Sequence, residues 1–171
     1  MTTTGFYTQL YFKHNLGFSL AFIGVLYAAT IVPDALFAAA TPHIMRLLPR
    51  RWLLVVFTAA EAAGLLALST QNRWLALAGF LLLLHVGDSV LYPAISTYVN
   101  ERAPERQRAT VLSLETGLFS AFMIVLFPLF GLGLTHMSYG RAYFVTFVAL
   151  VAGGLSITAG VHILGRRRRQ L

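Results

Sequence analysis

The sequence contains no cysteine and little charge of either sign. With no cysteine among its 171 residues, a disulfide framework, thiolate chemistry and a cysteine-ligated metal site are all excluded. Charged residues make up only 11% of the chain, whereas a soluble domain has about 25%. A water-exposed surface cannot be built from so few charges. The composition therefore argues against a soluble enzyme, a nucleic-acid-binding module and a disordered tail.

Apolar residues dominate instead, at 57% of the chain, and the mean hydropathy is +0.71. These values are typical of a protein that lies in a bilayer. The net charge of +7 is concentrated in short gaps between apolar stretches and in an arginine run at 166–169. Basic clusters beside membrane spans indicate topology and contact with anionic lipid. We therefore expect the lipid bilayer as a partner and no nucleic acid.

Five apolar stretches are long enough to cross the hydrocarbon core, which needs about 20 residues per helix. They cover residues 18–41, 52–70, 74–98, 109–134 and 142–164. This pattern predicts an all-α, polytopic transmembrane helix bundle with about five spans. Residues 1–17 are predicted to form an extracytoplasmic interfacial segment, because aromatic and polar side chains are mixed there. Residues 165–171 form a basic tail.

The Lys and Arg residues are distributed unequally between alternate connections. Ten of the 13 Lys and Arg residues lie in the connections after the first and third stretches and in the C-terminal tail, which are on one side of the membrane. The remaining three lie in the connections on the opposite side. The positive-inside rule then places the C-terminus in the cytoplasm and the N-terminus outside, in a plasma (inner) membrane. An outside N-terminus without a signal peptide is hard to insert. We therefore expect that at least one further helix precedes Met1 and that the chain is a fragment.

Four of the six acidic residues lie within predicted spans, one in each of the first four. They are Asp34, Glu61, Asp88 and Glu115. An ionised acid at the centre of a membrane helix costs about 2.5–3.5 kcal/mol. Some of these acids must therefore face a polar interior, contact a polar partner or carry a proton.

Glu61, His85 and Asp88 are the candidates for a cavity or proton-coupling role, and Asp34 is a further one. Asp34 follows Pro33, so the alternative is that its carboxylate only satisfies backbone groups freed by the proline. His85 and Asp88 are three residues apart and share a helix face, which suits a proton relay. They could also supply two metal ligands. Because no third ligand is placed nearby, neither a metal nor another cofactor is predicted.

The acidic and basic residues around the third connection have a structural interpretation. Arg108 can contact lipid phosphate or a loop acid such as Glu105, and Thr110 can cap the start of the fourth helix. Arg106 is the other arginine of this connection. Glu115 can anchor one of these two arginines. No hydrolytic or nucleotide-binding motif is present, so an enzyme is not predicted.

Three segments carry a family resemblance. Around the third connection, the segment consists of residues 92–93 (YP), 98–100 (YVN) and 103–113 (APERQRATVLS). In the first connection, it is residues 46–52 (RLLPRRW). At the start of the first span, it is residues 16–19 (LGFS) together with 23–24 (IG). The third connection resembles the link between the tenth and eleventh helices of major facilitator superfamily transporters. The first resembles their basic link between the eighth and ninth helices.

The resemblance covers nearly the whole chain and maps its five spans onto helices eight to twelve of a partial fold of that superfamily. It implies two six-helix halves that rock against each other to give alternating access. The implied function is secondary transport of a small solute, with proton-coupled export as one form. Missing N-terminal helices or another chain would complete the transporter. The alternative is a membrane accessory or interaction protein that transports nothing itself.

Overall fold

The computed structural model describes residues 3–167, with side-chain placement described for residues 7–156 apart from Leu82 and Val86. Every regular element in this part of the chain is helical. The α-helices are α1 (Thr3–His14), α2 (Leu20–Leu47), α3 (Arg50–Ser69), α4 (Arg73–Ala78), α5 (His85–Arg102), α6 (Arg108–His136) and α7 (Tyr139–Arg167). A π-helical turn, Gly79–Leu84, joins α4 to α5, and a 3₁₀ turn, Glu105–Gln107, precedes α6. The all-α helical bundle predicted from composition is therefore confirmed.

Among the residues that the structure describes, three helical segments are long and apolar enough to cross a membrane, by length and composition: Leu20–Leu47, Arg50–Ser69 and Glu105–His136. The other two predicted spans, 74–98 and 142–164, fall on the α4–π–α5 segment and on α7. The division into five spans stays a prediction. Most of the predicted basic tail, residues 168–171, lies outside the described residues.

Short polar turns separate the helices, and side-chain hydrogen bonds cap the starts of several, α2 and α4 among them. The Ser19 hydroxyl accepts a hydrogen bond from the backbone N–H of Phe22 at 3.2 Å, which starts α2. The Asn72 side chain accepts from the N–H groups of Trp74 and Leu75 at 3.0 and 3.2 Å, which starts α4. These contacts satisfy N–H groups that have no partner within the helix.

The main core lies at the end of the bundle where α3 turns into α4, and α1 packs into it. Its fully buried members include Tyr11, Phe12, Leu68, Ala76 and Tyr143. The Tyr11 hydroxyl donates to the backbone oxygen of Leu68 at 2.9 Å. Tyr11 lies outside the predicted spans, and burial raises its pKa to about 12, so its hydroxyl remains a donor at neutral pH. This bond joins the N-terminal segment to the bundle.

Helix α6 contrasts with this core, because none of its residues is buried. Large apolar side chains cover its surface, including Leu114, Phe122, Ile124 and Leu132, each more than half exposed. A helix that is apolar all round and uncovered is suited to lipid or to further membrane helices. The bundle therefore presents an apolar exterior, as expected for a protein that lies in a bilayer.

Candidate functional site

The centre of α2 contains a polar site directly after a helix irregularity. Pro33 lies inside the helix and has no N–H group, so it removes one hydrogen bond of the ladder. Asp34 follows it and is half-buried, with 23% of its side chain exposed. A carboxylate at this depth needs partners other than water. These partners come from α5.

Two side chains of α5 occupy the two oxygens of the Asp34 carboxylate. His85 places its Nδ1 3.0 Å from Oδ2, and the Ser89 hydroxyl donates to Oδ1 at 2.8 Å. His85 and Ser89 are four residues apart and therefore lie on the same face of α5. We refer to Asp34, His85 and Ser89 as the α2–α5 cluster. It links two helices through a fully engaged carboxylate.

Aromatic rings shield the histidine of this cluster. Only 9% of the His85 side chain is exposed. The Phe80 ring lies edge-on to it, with centroids 4.6 Å apart, and the Tyr27 ring is 6.4 Å away. Nδ1 donates to the carboxylate when it carries the proton, and a second proton on Nε2 turns the contact into an ion pair. The cluster can thus hold a proton at a site that the surrounding rings protect from water.

A second pair of acids lies nearby, where α3 packs against α5. Glu61 of α3 lies against Gly87, where an added Cβ would be only 2.7 Å from its Cγ. The negative charge of Asp88, the next residue on α5, acts on Glu61. The glycine therefore allows the Glu61 side chain to approach the backbone of α5 closely, beside a second carboxylate.

His85 contacts Asp34 of α2, whereas the charge of Asp88 acts on Glu61 of α3. The relay between His85 and Asp88 that their spacing predicts stays a prediction, and the structure shows His85 in contact with Asp34. Sequence reasoning missed Ser89. Its position four residues after His85 was the one available signal.

The residues around the 3₁₀ turn lie at the surface. Arg106, Arg108 and Thr110 are exposed, and Glu115 is half-buried in α6. The N-cap of α6 is Gln107, and its side chain makes no capping hydrogen bond. Within the described part of the chain, Glu115 makes no ion pair with either arginine.

An ion pair does join two helices at this same end of the bundle. Arg50, at the start of α3, pairs with Glu101 near the end of α5, and both side chains are about half exposed. The Arg50 guanidinium also lies 4.5 Å above the centre of the Tyr98 ring. A cleft of about 360 Å³ between α2 and α5 is lined by these three side chains and by Arg46. The helix ends that surround the first connection are therefore held by charge.

Over the residues that the structure describes, no three His, Cys, Asp or Glu side chains are grouped as metal ligands.

Comparison with known proteins gives one match. A family model described as Major Facilitator Superfamily matches residues 1–170. No curated protein and no solved structure matches the chain significantly. The family match covers almost the whole sequence, including every residue of the α2–α5 cluster.

Proposed function

This chain belongs to the major facilitator superfamily of membrane transporters, and from that premise we propose that it forms the C-terminal portion of a proton-coupled transporter of a small solute. Export is the proposed direction. Its five spans would correspond to helices eight to twelve, and the remaining helices would come from an N-terminal extension or from another chain. The protein would lie in the plasma membrane with its C-terminus in the cytoplasm.

The observation that carries this proposal is the double engagement of Asp34. A neutral imidazole carries one ring proton and its charged form carries two, so a second proton on His85 would change the charge of the contact between α2 and α5. With the proton bound, an imidazolium faces a carboxylate and the attraction between the helices is strong. Without it, a neutral imidazole donates a single hydrogen bond to the carboxylate. Protonation thereby biases how firmly two helices of the bundle are joined, which is what coupling to a rocking motion requires.

The test is proton-driven solute flux in the assembled transporter, measured with Asp34→Asn and with His85→Gln. Both substitutions keep the approximate side-chain size and remove the titrating contact. We expect flux driven by a pH gradient to disappear, while exchange of labelled for unlabelled solute, which needs no net proton movement, continues. His136→Gln, at the exposed end of α6, is the matched control. Proton-driven flux that survives both cluster substitutions would refute the coupling role.

The role as part of a larger transporter is tested by the size of the native membrane product. An antibody raised against the arginine-rich tail should detect a band more than twice the 18.8 kDa of this chain. A stable product near 18.8 kDa that associates with no other chain would contradict the proposal and favour an accessory protein.

A further inference from the structure

We propose that the π turn Gly79–Leu84 sets the helix register that brings His85 and Ser89 to Asp34, and that Gly64 and Gly79 are positioning residues for the α2–α5 cluster. This inference concerns the geometry of the cluster. Only the importance of that geometry for transport rests on the proposed function.

The first support is the hydrogen bond that closes the turn. The backbone N–H of His85 donates to the oxygen of Phe80, five residues earlier, as in a π-helix. The two rings then lie together on one face, with centroids 4.6 Å apart and planes at 80°. In an α-helix, residues five apart point about 140° away from each other. An uninterrupted α-helix of the same sequence would therefore turn His85 away from the face of Phe80.

The second support is that this shared face is the one directed at α2. The Tyr27 ring of α2 contacts the Phe80 ring, with centroids 5.1 Å apart, and lies close to His85. Tyr27 and Asp34 are seven residues apart, or about two turns of α2. The register that places His85 beside Phe80 is therefore the register that presents it to Asp34.

The third support is a close helix contact that holds the turn in place. A Cβ added at Gly79 would lie 2.5 Å from the Cβ of Ala67 and 3.1 Å from the oxygen of Gly64. A Cβ added at Gly64 would lie 2.8 Å from the Cγ of Leu84. The two glycines thus let α3 lie directly against both ends of the π turn, and a larger residue at either position would push the turn away.

The sequence of the turn permits a matched pair of length variants. Residues 81–84 are four consecutive leucines, so removing or adding one leucine changes the length without changing the residue type. With three leucines, Phe80 and His85 are four residues apart, and an ordinary α-helix keeps them on one face, about 40° apart. With five leucines they are six apart, about 120° from alignment in an α-helix.

The readout is cross-linking between Asp34→Cys and Ser89→Cys. This chain has no other cysteine, and any cysteine in the rest of the transporter is first replaced by serine. The cross-linker is a short bifunctional thiosulfonate, applied to the assembled transporter in membranes. We expect the three-leucine variant to cross-link as well as the parent and the five-leucine variant to fall to background. If both variants lose cross-linking equally, or if the longer one keeps it, the register proposal is wrong.

A second pair of variants tests the glycine contact without a change in length. Gly79→Ala should reduce the same cross-link, and adding Ala67→Gly should restore it, because the second change removes the methyl group that the new side chain meets. Gly117→Ala is the control, since a Cβ there has no neighbour within 4 Å. Unchanged cross-linking in Gly79→Ala would overturn the positioning role of this glycine.

Transport measured on the length variants, with Asp34 and Ser89 intact, separates this inference from the proposed function. If the cross-link follows the leucine count but proton-driven flux does not, the register inference holds and the coupling role of the cluster fails.

Discussion

At the scale of single residues, the acids within the bundle differ in what they contact. Asp34 receives two hydrogen bonds from α5, whereas Glu61 lies against a glycine beside another carboxylate. The sequence identified both acids as candidates because ionised groups are costly in a membrane. It could not assign their partners, since these depend on how α5 is rotated. Tertiary packing alone decides that rotation.

The hydroxyl of Ser89 should stabilise the cluster measurably. A hydrogen bond to a charged group contributes about 1.5–3 kcal/mol, so Ser89→Ala should lower the thermal midpoint of the purified protein by several degrees. Ser96→Ala, on the same helix and with no side-chain hydrogen bond in the structure, should leave the midpoint nearly unchanged. Equal midpoints for the two variants would show that Ser89 contributes no stability through Asp34.

Replacement of Glu61 by Gln tests the second acid pair. The substitution keeps the shape that packs against Gly87 and removes the charge beside Asp88, so the bundle should remain folded. We expect proton-coupled flux through the assembled transporter to be abolished. Glu115→Gln serves as the control, because Glu115 is also half-buried within a helix but lies on α6. Proton-dependent flux that stays at the parent level in Glu61→Gln would exclude a coupling role for this residue.

At the scale of elements, close contacts between helices depend on particular glycines. A Cβ at Gly140, near the start of α7, would lie 2.7 Å from the backbone oxygen of Ser69. Gly140→Ala should therefore destabilise the contact between α3 and α7 by about 1–3 kcal/mol. Gly153→Ala on the same helix meets nothing within 4 Å and should be neutral or slightly stabilising. Thermal unfolding in detergent compares the two, and a Gly140→Ala protein as stable as Gly153→Ala would contradict this packing.

The sequence correctly predicted an all-α chain, and it did not predict the helix irregularity. The capping residues Ser19 and Asn72 and the apolar stretches are local signals, and they mark helix boundaries in the structure. The π turn leaves no local pattern, because Phe80 and His85 lie on different faces when the sequence is read with α-helical periodicity. It depends on the contact with α3 through Gly64 and Gly79, which are ordinary small residues in a membrane helix. Ser89 did carry a local signal, its position four residues after His85, but the spacing does not identify Asp34 as its partner.

At the scale of the whole molecule, charge is segregated from the apolar bundle. Arg50 and Glu101 pair at the end where α2 and α5 terminate, and α6 begins there with exposed arginines. The opposite end, where α3 meets α4 and α6 meets α7, has few basic residues. This difference is the physical basis of the predicted orientation, because basic residues are retained on the cytoplasmic side.

Single cysteines test the orientation directly, since the parent chain has none to remove. The two variants are Ser138→Cys and Glu105→Cys. Ser138 lies between α6 and α7, and Glu105 lies in the 3₁₀ turn at the other end of the bundle. Both side chains are exposed. In intact cells, a thiol reagent that cannot cross the membrane should label the first variant and not the second. In inverted vesicles the labelling should reverse. The opposite result would place the arginine-rich end, and with it the ion pair between Arg50 and Glu101, outside the cell.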